Sequence, residues 1–214
     1  FKARDNSIIT DLFEGQLCSK LECMSCKHKS LTFDNFMDLS ISIPRKAVRY
    51  TGYIDINECL SSYTASEKME NCGYKCSKCK AVDHMEKDMT IFRFPKILVI
   101  HLKRFYQSTM RREKLSTTVN IPQTLDMRPY APYSSKFSFA FLFIIDHSSK
   151  QKAASYNLYG ISHHSGTLNG GHYIGEAQNL DTKAWYNCND SHCSKLSSPD
   201  TSSASAYVLF YIQN

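Results

Sequence analysis

Gly170-Gly171-His172-Tyr173 opens a strand-like run, and a turn-like segment, Asn179-Leu180-Asp181-Thr182-Lys183, separates it from a second strand-like run at 184–189. A hairpin folded about residues 180–181 sets His172 opposite position 189 or 190. Directly opposed side chains on one face of a sheet have Cβ atoms about 4.5–5.5 Å apart. An imidazole placed there can hydrogen-bond Asn189 or Asp190, and the spacing leaves both open. A histidine held by a polar neighbour is the base-and-orienter half of a nucleophilic triad. Most lone histidines are structural; the two glycines before this one and the polar pair across from it set it apart.

A second constellation is built from sulfur. Cys23-x-x-Cys26 and Cys76-x-x-Cys79 flank the long intervening segment 27–75. Each pair can sit on a tight knuckle with both sulfurs turned one way. Two knuckles brought together make a tetrahedral four-thiolate zinc site, with no position left open for a catalytic water. One structural zinc per chain is therefore expected, its binding coupled to folding of the segments it joins. Cys72, His28 and His84 are nearby substitutes for one ligand. A redox role needs only one such pair.

These residues need a β-rich frame. Residues 7–14 read as a short helix, 16–23 and 29–43 as strands, and Asp55 as the cap of a helix through about Tyr63, with Ile56, Cys59, Leu60 and Tyr63 at helical spacing. Residues 84–94 and 96–105 read as two strands around Pro95. The continuous run Ile97-Leu98-Val99-Ile100 predicts a central strand buried on both faces. Arg111-Arg112-Glu113-Lys114 reads as a charged turn. Runs at 156–162, 173–177, 184–189 and 207–212 complete a mainly antiparallel core, and 197–205 is a polar connection with room for one helical turn.

Composition narrows the class. The 214 residues suit one domain, 42% hydrophobic and 21% charged, with thirteen Tyr and twelve Phe. A net charge of +6 permits contact with a polyanion without requiring it. No run reaches membrane-span length, and the first residues do not form a signal peptide. The absence of an initiator Met leads to the expectation that the chain is a fragment. Nine Cys, an odd number with four in two pairs, fit metal binding in a reducing compartment better than disulfides. Cytosol or nucleus is the expected location, and a monomer the expected state.

Taken in order, several segments carry a resemblance. The two Cys pairs precede Phe94-Pro95-Lys96-Ile97-Leu98-Val99-Ile100-His101-Leu102-Lys103-Arg104-Phe105. Tyr156-Asn157-Leu158-Tyr159, Gly166-Thr167-Leu168-Asn169-Gly170-Gly171-His172-Tyr173, Asn189-Asp190-Ser191 and Ala206-Tyr207-Val208-Leu209-Phe210-Tyr211 follow. The series resembles the catalytic domain of ubiquitin-specific proteases, most closely its short-domain members, from about residue 8 to 212. The resemblance implies an α+β, mainly antiparallel, papain-like cysteine peptidase fold with thumb, palm and fingers. Residues 1–214 would be the C-terminal part of one such domain, with 16–95 the zinc-containing fingers and adjoining palm and 96–214 the palm. It implies that His172 is the general base, Asn189 its orienter and Asp190 an acidic residue near the oxyanion. Cys23, Cys26, Cys76 and Cys79 would be zinc ligands at the fingertips. A loop from Ser165 to Gly171, including Gly166 and Gly170 and flanked by His164 and Tyr173, would border the ubiquitin tail. Partners would be ubiquitin and ubiquitinated proteins.

Two departures qualify the resemblance. The family's nucleophilic Cys lies in an N-terminal box that has no counterpart here, so most of the thumb is expected to be missing. Cys188 faces away from Asn189 if it lies on a strand, Cys193 falls just beyond, and Cys18, Cys59 and Cys72 have no local partner signal. The expected activity is thiol-dependent hydrolysis of ubiquitin isopeptide bonds by a complete domain; the alternative is a ubiquitin-binding module without chemistry. The second departure is the apolar segment 137–145, an extra strand, a partner element or an accidental insertion. A zinc-ribbon nucleic-acid binder would require salt-sensitive binding and leaves His172 unexplained. Among residues of lesser weight, His101 and Trp185 read as core, and Phe105 as packing or cleft lining. Lys103 and Arg104 with Arg111, Arg112 and Lys114 read as a solvated turn rather than a basic patch.

Overall fold

A computed structural model describes residues 7–44, 52–107, 112–132, 154–167 and 170–214. The first half contains α1 (Ile8–Phe13), β1 (Gly15–Cys23), β2 (Lys29–Phe36), β3 (Leu39–Ser42), β4 (Tyr53–Asp55), α2 (Ile56–Tyr63), β5 (Glu67–Met69), β6 (Met85–Arg93) and β7 (Ile97–Lys103). The second contains β8 (Phe105–Gln107), β9 (Arg112–Lys114), β10 (Thr118–Asn120), β11 (Thr124–Asp126), a 3-10 turn (Arg128–Tyr130), β12 (Ser155–Thr167), β13 (Gly170–Gln178), β14 (Trp185–Asn189), β15 (His192–Leu196), β16 (Ser202–Ser203) and β17 (Ala206–Gln213).

Both helices begin where the sequence supplies a reciprocal cap. Ser7 accepts from the Thr10 amide while Thr10 returns a bond to the Ser7 N–H, and Asp55 and Glu58 do the same for α2. Such boxes satisfy amide donors that the helix itself cannot. α2 buries Ile56, Cys59 and Leu60 on one stripe as the spacing predicts.

Two sheets matter for function. The larger has the order β15-β14-β13-β12-β17-β7-β3, with β11 added beside β12. Its neighbours are antiparallel except β3 and β7, which run parallel. The smaller, β2-β1-β6-β5, projects to the metal cluster. The main core joins Leu39, Ile41, Leu98, Ile100, Leu102, Leu209 and Tyr211 from the large sheet to Ile56 and Leu60 of α2. Around the metal cluster the core shrinks to Cys23, Cys76 and Met85, with Leu21, Met69 and Ala81 against them. Among the described residues, no helix is long and apolar enough to cross a membrane.

Several elements differ from the sequence reading. The run 29–43 is two strands in two sheets, because bends at Met37 and Asp38 redirect the chain from β2 to β3. β7 is not the central strand but lies next to the edge strand β3, and Leu98, Ile100 and Leu102 are buried while Ile97 and Val99 are only half-buried, so its two faces are unequal. Arg112–Lys114 is the strand β9 and pairs with β8 rather than forming a turn. The connection 197–205 contains the short strand β16 and no helical turn. The apolar segment 137–145 lies outside the described residues.

The basic group is also not a solvated turn throughout. Arg104 is fully buried. Its Nε donates to the Ala206 carbonyl (2.6 Å), Nη1 to those of Leu115 (3.1 Å) and Thr117 (2.8 Å), and Nη2 to that of Ser203 (3.1 Å). The planar fork of arginine suits such divergent acceptors. Lys114 Nζ donates to the His164 carbonyl at 2.6 Å.

Candidate active site and metal centre

The strand pair that carries the site is closed by a longer turn than expected. Asn179 accepts from the backbone amides of Asp181 and Thr182 through Oδ1, and its own amide donates to the Ala184 carbonyl. Lys183 takes the left-handed conformation, φ 58°. With the turn centred later in the chain, β13 and β14 pair from Gln178↔Trp185 to Gly175↔Cys188. His172 therefore does not stand opposite 189 or 190; continuing the ladder would face it with Ser191. Its ring reaches diagonally, and Nε2 lies 2.6 Å from Asn189 Oδ1. Diagonal neighbours lie within reach of long and aromatic side chains.

The contact fixes the chemistry of the ring. An amide oxygen only accepts, so Nε2 carries the proton, and Nδ1 is left with its lone pair. Asp190 Oδ2 is 4.0 Å from Nε2 and more exposed, 79% against 49% for the histidine side chain. Asp190 sits at φ 49° in the turn between β14 and β15, a conformation Asp and Asn tolerate better than most residues. Asn189 is thus the primary partner and Asp190 a peripheral one. This arrangement can take a proton on Nδ1 while the amide holds the ring.

Each of the nine thiols has its own place. Cys18 and Cys59 are in the interior, where burial first of all pushes their thiols up to about 11 and about 12. Cys72 donates to Asp83 Oδ1 at 3.2 Å. Cys188 and Cys193 face each other, and the remaining four form the metal cluster.

The expected loop from Ser165 to Gly171 is two arms of a hairpin. Ser165↔His172, Gly166↔Gly171 and Thr167↔Gly170 are paired residues of β12 and β13. Glycine is needed for this close approach. A Cβ at Gly166, where φ is 125°, would lie 2.5 Å from the Gly170 carbonyl oxygen, and one at Gly171 would overlap His164 Nε2. His164 is not a loop residue either. It is buried, pairs with Tyr173 across the strands, and packs against Phe105, Tyr173 and Tyr207 with ring centroids 5.5, 4.7 and 5.8 Å away. Desolvation, with help from Lys114, holds its imidazolium form below the usual range. Tyr173 remains exposed.

The sulfur cluster forms as the spacing predicts. The Sγ atoms of Cys23, Cys26, Cys76 and Cys79 lie within 4.8 Å of one another, with Cys23–Cys79 at 3.6 Å and Cys26–Cys76 at 3.8 Å. A tetrahedron with metal–sulfur bonds of about 2.3 Å has edges of about 3.8 Å, so the set fits zinc. The two knuckles are built alike. Lys27 N–H donates to the Cys23 carbonyl and Lys80 N–H to that of Cys76, and both lysines are left-handed, φ 57° and 64°. Backbone N–H groups aimed at sulfur, foremost those of Cys26 and Cys79, draw the Cys23 and Cys76 thiols down, the latter to about 6. Such donors favour the thiolate that a metal requires. The proposed substitutes lie elsewhere: His84 Nδ1 meets Ser25 Oγ at 3.2 Å, and Cys72 is on Asp83.

Sequence reasoning missed a polar brace beneath the site. His163 Nδ1 is 3.0 Å from Ser205 Oγ, its Nε2 is 3.7 Å from Glu176 Oε1, and Glu176 Oε2 accepts from the Asp200 amide at 2.8 Å. It ties β12, β13 and the 200–205 connection together. Strand register alone brings these residues together, so local sequence carries no signal of it. Of the two residues read as core, Trp185 is in the core, whereas His101 is only half-buried, its Nδ1 meeting Ser40 Oγ at 2.8 Å.

A mainly antiparallel fold with a His172–Asn189 contact and a cluster of four cysteines is the setting for the comparisons with known proteins. The family described as ubiquitin carboxyl-terminal hydrolase matches residues 1–211. Ubiquitin carboxyl-terminal hydrolase 2 of Gallus gallus is 38% identical over 213 residues, which cover 99% of this chain and 54% of that protein. Ubiquitin carboxyl-terminal hydrolase 21 of Mus musculus is 35% identical over 210 residues, covering 97% and 34%. Among solved structures, a SAGA DUB module of Ubp8, Sgf11, Sus1 and Sgf73 bound to monoubiquitin aligns with a TM-score of 0.78 and 30% identity, over 99% of this chain and 43% of that one. The same module bound to ubiquitin aldehyde gives 0.77 and 29%, over 99% and 43%. The chain belongs to the ubiquitin carboxyl-terminal hydrolase family. It spans about half or less of the length of these relatives.

Proposed function

We propose that this chain is the C-terminal part of a cysteine deubiquitinase domain, contributing the general base, its orienter and the zinc-bearing fingers. The observation that carries this reading is the 2.6 Å contact between His172 Nε2 and Asn189 Oδ1, which leaves Nδ1 free to accept a thiol proton. The thiolate so formed attacks the carbonyl at the ubiquitin C-terminus. The imidazolium then protonates the leaving lysine amine, and water releases the acyl-enzyme. A neutral Asn stabilises imidazolium less than Asp would, but a thiol needs less activation than a serine hydroxyl. The partner is ubiquitin, which the similar solved structures hold bound. In this reading 16–95 form fingers and adjoining palm, and 96–214 the palm that contains the site.

The zinc is structural. Bound by Cys23, Cys26, Cys76 and Cys79, it would supply a fold-stabilising crosslink and no open coordination position. A second reading has a specific observation in its favour: with all nine thiols buried or engaged elsewhere, residues 1–214 alone act as a ubiquitin-binding module. Turnover of a ubiquitin C-terminal reporter decides between them. The complete protein is expected to hydrolyse it and to lose about 10³-fold or more in His172→Ala, as removal of a triad member does. Undiminished turnover in that variant eliminates the base assignment. Ubiquitin binding without turnover by the complete protein establishes the module instead.

A further inference from the structure

β14 and β15 oppose Cys188 and Cys193 directly across the hairpin, and their sulfurs are 2.7 Å apart. Both lie on the face opposite Asn189, since side chains alternate along a strand. Opposed residues of an antiparallel pair have Cα atoms about 4.5–5.5 Å apart, inside the span of about 4.4–6.8 Å that a disulfide bridges. A shared metal ion would instead hold the sulfurs near a tetrahedral edge, as the 3.6 and 3.8 Å separations of the metal cluster do. The 188–193 approach is well inside that edge, so the pair is arranged for a bond between sulfurs rather than for a metal between them.

The pair is also accessible. Cys193 is exposed and Cys188 half-buried, whereas Cys18 and Cys59 are buried and Cys72 is held by the Asp83 carboxylate. Between the two cysteines lie Asn189, Asp190, Ser191 and His192, the turn that carries the orienter. A bond across 188–193 closes a small ring around that turn.

We propose that Cys188 and Cys193 are a reversible dithiol, oxidised by hydroperoxides to a cross-strand disulfide that clamps the turn holding Asn189 and Asp190. The thiolate of one cysteine attacks the peroxide: an S–O bond forms, the O–O bond breaks, and the leaving oxygen departs as water or an alcohol after taking a proton. The other cysteine then attacks the sulfenic sulfur, the S–S bond forms, the S–O bond breaks, and water leaves. Two thiols lose two electrons, and the peroxide gains them. Either thiol can donate to the other across the 2.7 Å contact, so either can attack first. Two equivalents of a small-molecule thiol reverse the reaction.

The test uses the zinc-loaded chain, treated with hydrogen peroxide, alkylated and mapped by peptide mass spectrometry. The expected result is loss of alkylation at 188 and 193 together, a crosslinked peptide joining them, recovery with dithiothreitol, and a trappable sulfenic acid at the remaining cysteine in Cys188→Ser and in Cys193→Ser. Amide exchange at 190–192 should slow in the oxidised form. Continued alkylation of both cysteines while Cys72 oxidises, or a bridge found only between chains, overturns the dithiol. Unchanged exchange at the turn overturns the clamp. Neither measurement uses ubiquitin or turnover, so failure here is distinguishable from failure of the peptidase reading.

Discussion

Arg104 is a buried cation whose described hydrogen-bond partners are all backbone carbonyls, and its replacement gives a quantitative test of the fold. Two acceptors, in Ala206 and Ser203, belong to buried residues; the other two, in Leu115 and Thr117, belong to half-buried ones that water can reach. Arg104→Met keeps most of the aliphatic stem and removes every donor. Leaving the two buried carbonyls unsatisfied costs about 1–3 kcal/mol each, and the two wetter ones less. No longer burying a cation offsets part of this, and the expected net loss is about 2–3 kcal/mol. Arg104→Lys is expected to be no better. It retains the charge and its burial cost, while one compact ammonium cannot serve carbonyls placed around a planar fork. In urea unfolding of the zinc-loaded chain, with a slope of about 2 kcal/mol per molar, both midpoints should fall by about 1 M. A Lys variant as stable as the parent, or a shift under about 0.2 M for both, would refute the reasoning, because so small a shift corresponds to well under about 1 kcal/mol.

Four further outcomes are expected. Metal analysis should find about one zinc per chain, and a chelator should first release amide protection at 21–26 and 74–85, where the local core is small; a metal-free preparation with unchanged protection there contradicts the four-thiolate site. Gly171→Ala should destabilise by about 1–3 kcal/mol through overpacking, since its Cβ would meet His164 Nε2 and the Ser165 carbonyl, whereas Gly175→Ala, with nothing within 4 Å, should be neutral or stabilising; equal denaturation midpoints for the two would show that His164 does not fill the space. Burial foremost lowers the pKa of His101 and His164 in the folded chain, so the unfolded chain binds more protons below about 6.5. Their stabilisation is complete above that pH and is lost as pH falls toward the folded values; His164→Gln should show a shallower decline in urea midpoint than the parent as pH falls through about 6.5, and parallel declines would remove His164 from the linkage. In the complete protein, Asn189→Ala should lower reporter turnover and Asn189→Asp restore most of it, and indifference to both would leave the ring without an orienter.

What could be read from the residues alone divides by range. The caps of both helices, the metal knuckles and the strand runs are written in short patterns, each decided by neighbours within a few positions. The contact of His172 with Asn189 was foreseeable in kind, but the register was not, because it depends on how many residues the turn absorbs. Asn179 drew that turn out by bonding two amides, and the ring had to reach along a diagonal. Arg104 and Lys114 look like surface charges because local sequence shows the charge and not the carbonyls from 115, 117, 164, 203 and 206 that receive it. His163 and Glu176 were invisible for the same reason. Residue type reports poorly on burial when the compensating acceptors come from distant backbone.

The position of β17 has a consequence for how the chain is made. This strand is the last of the described elements, yet it lies between β12 and β7 in the middle of the large sheet. As the chain leaves the ribosome, the β7 side and the β12–β15 side have no shared partner until residues 206–213 emerge. A ribosome stalled before Ala206 would hold two exposed sheet edges apart, and such a nascent chain should depend on chaperones until the central strand inserts.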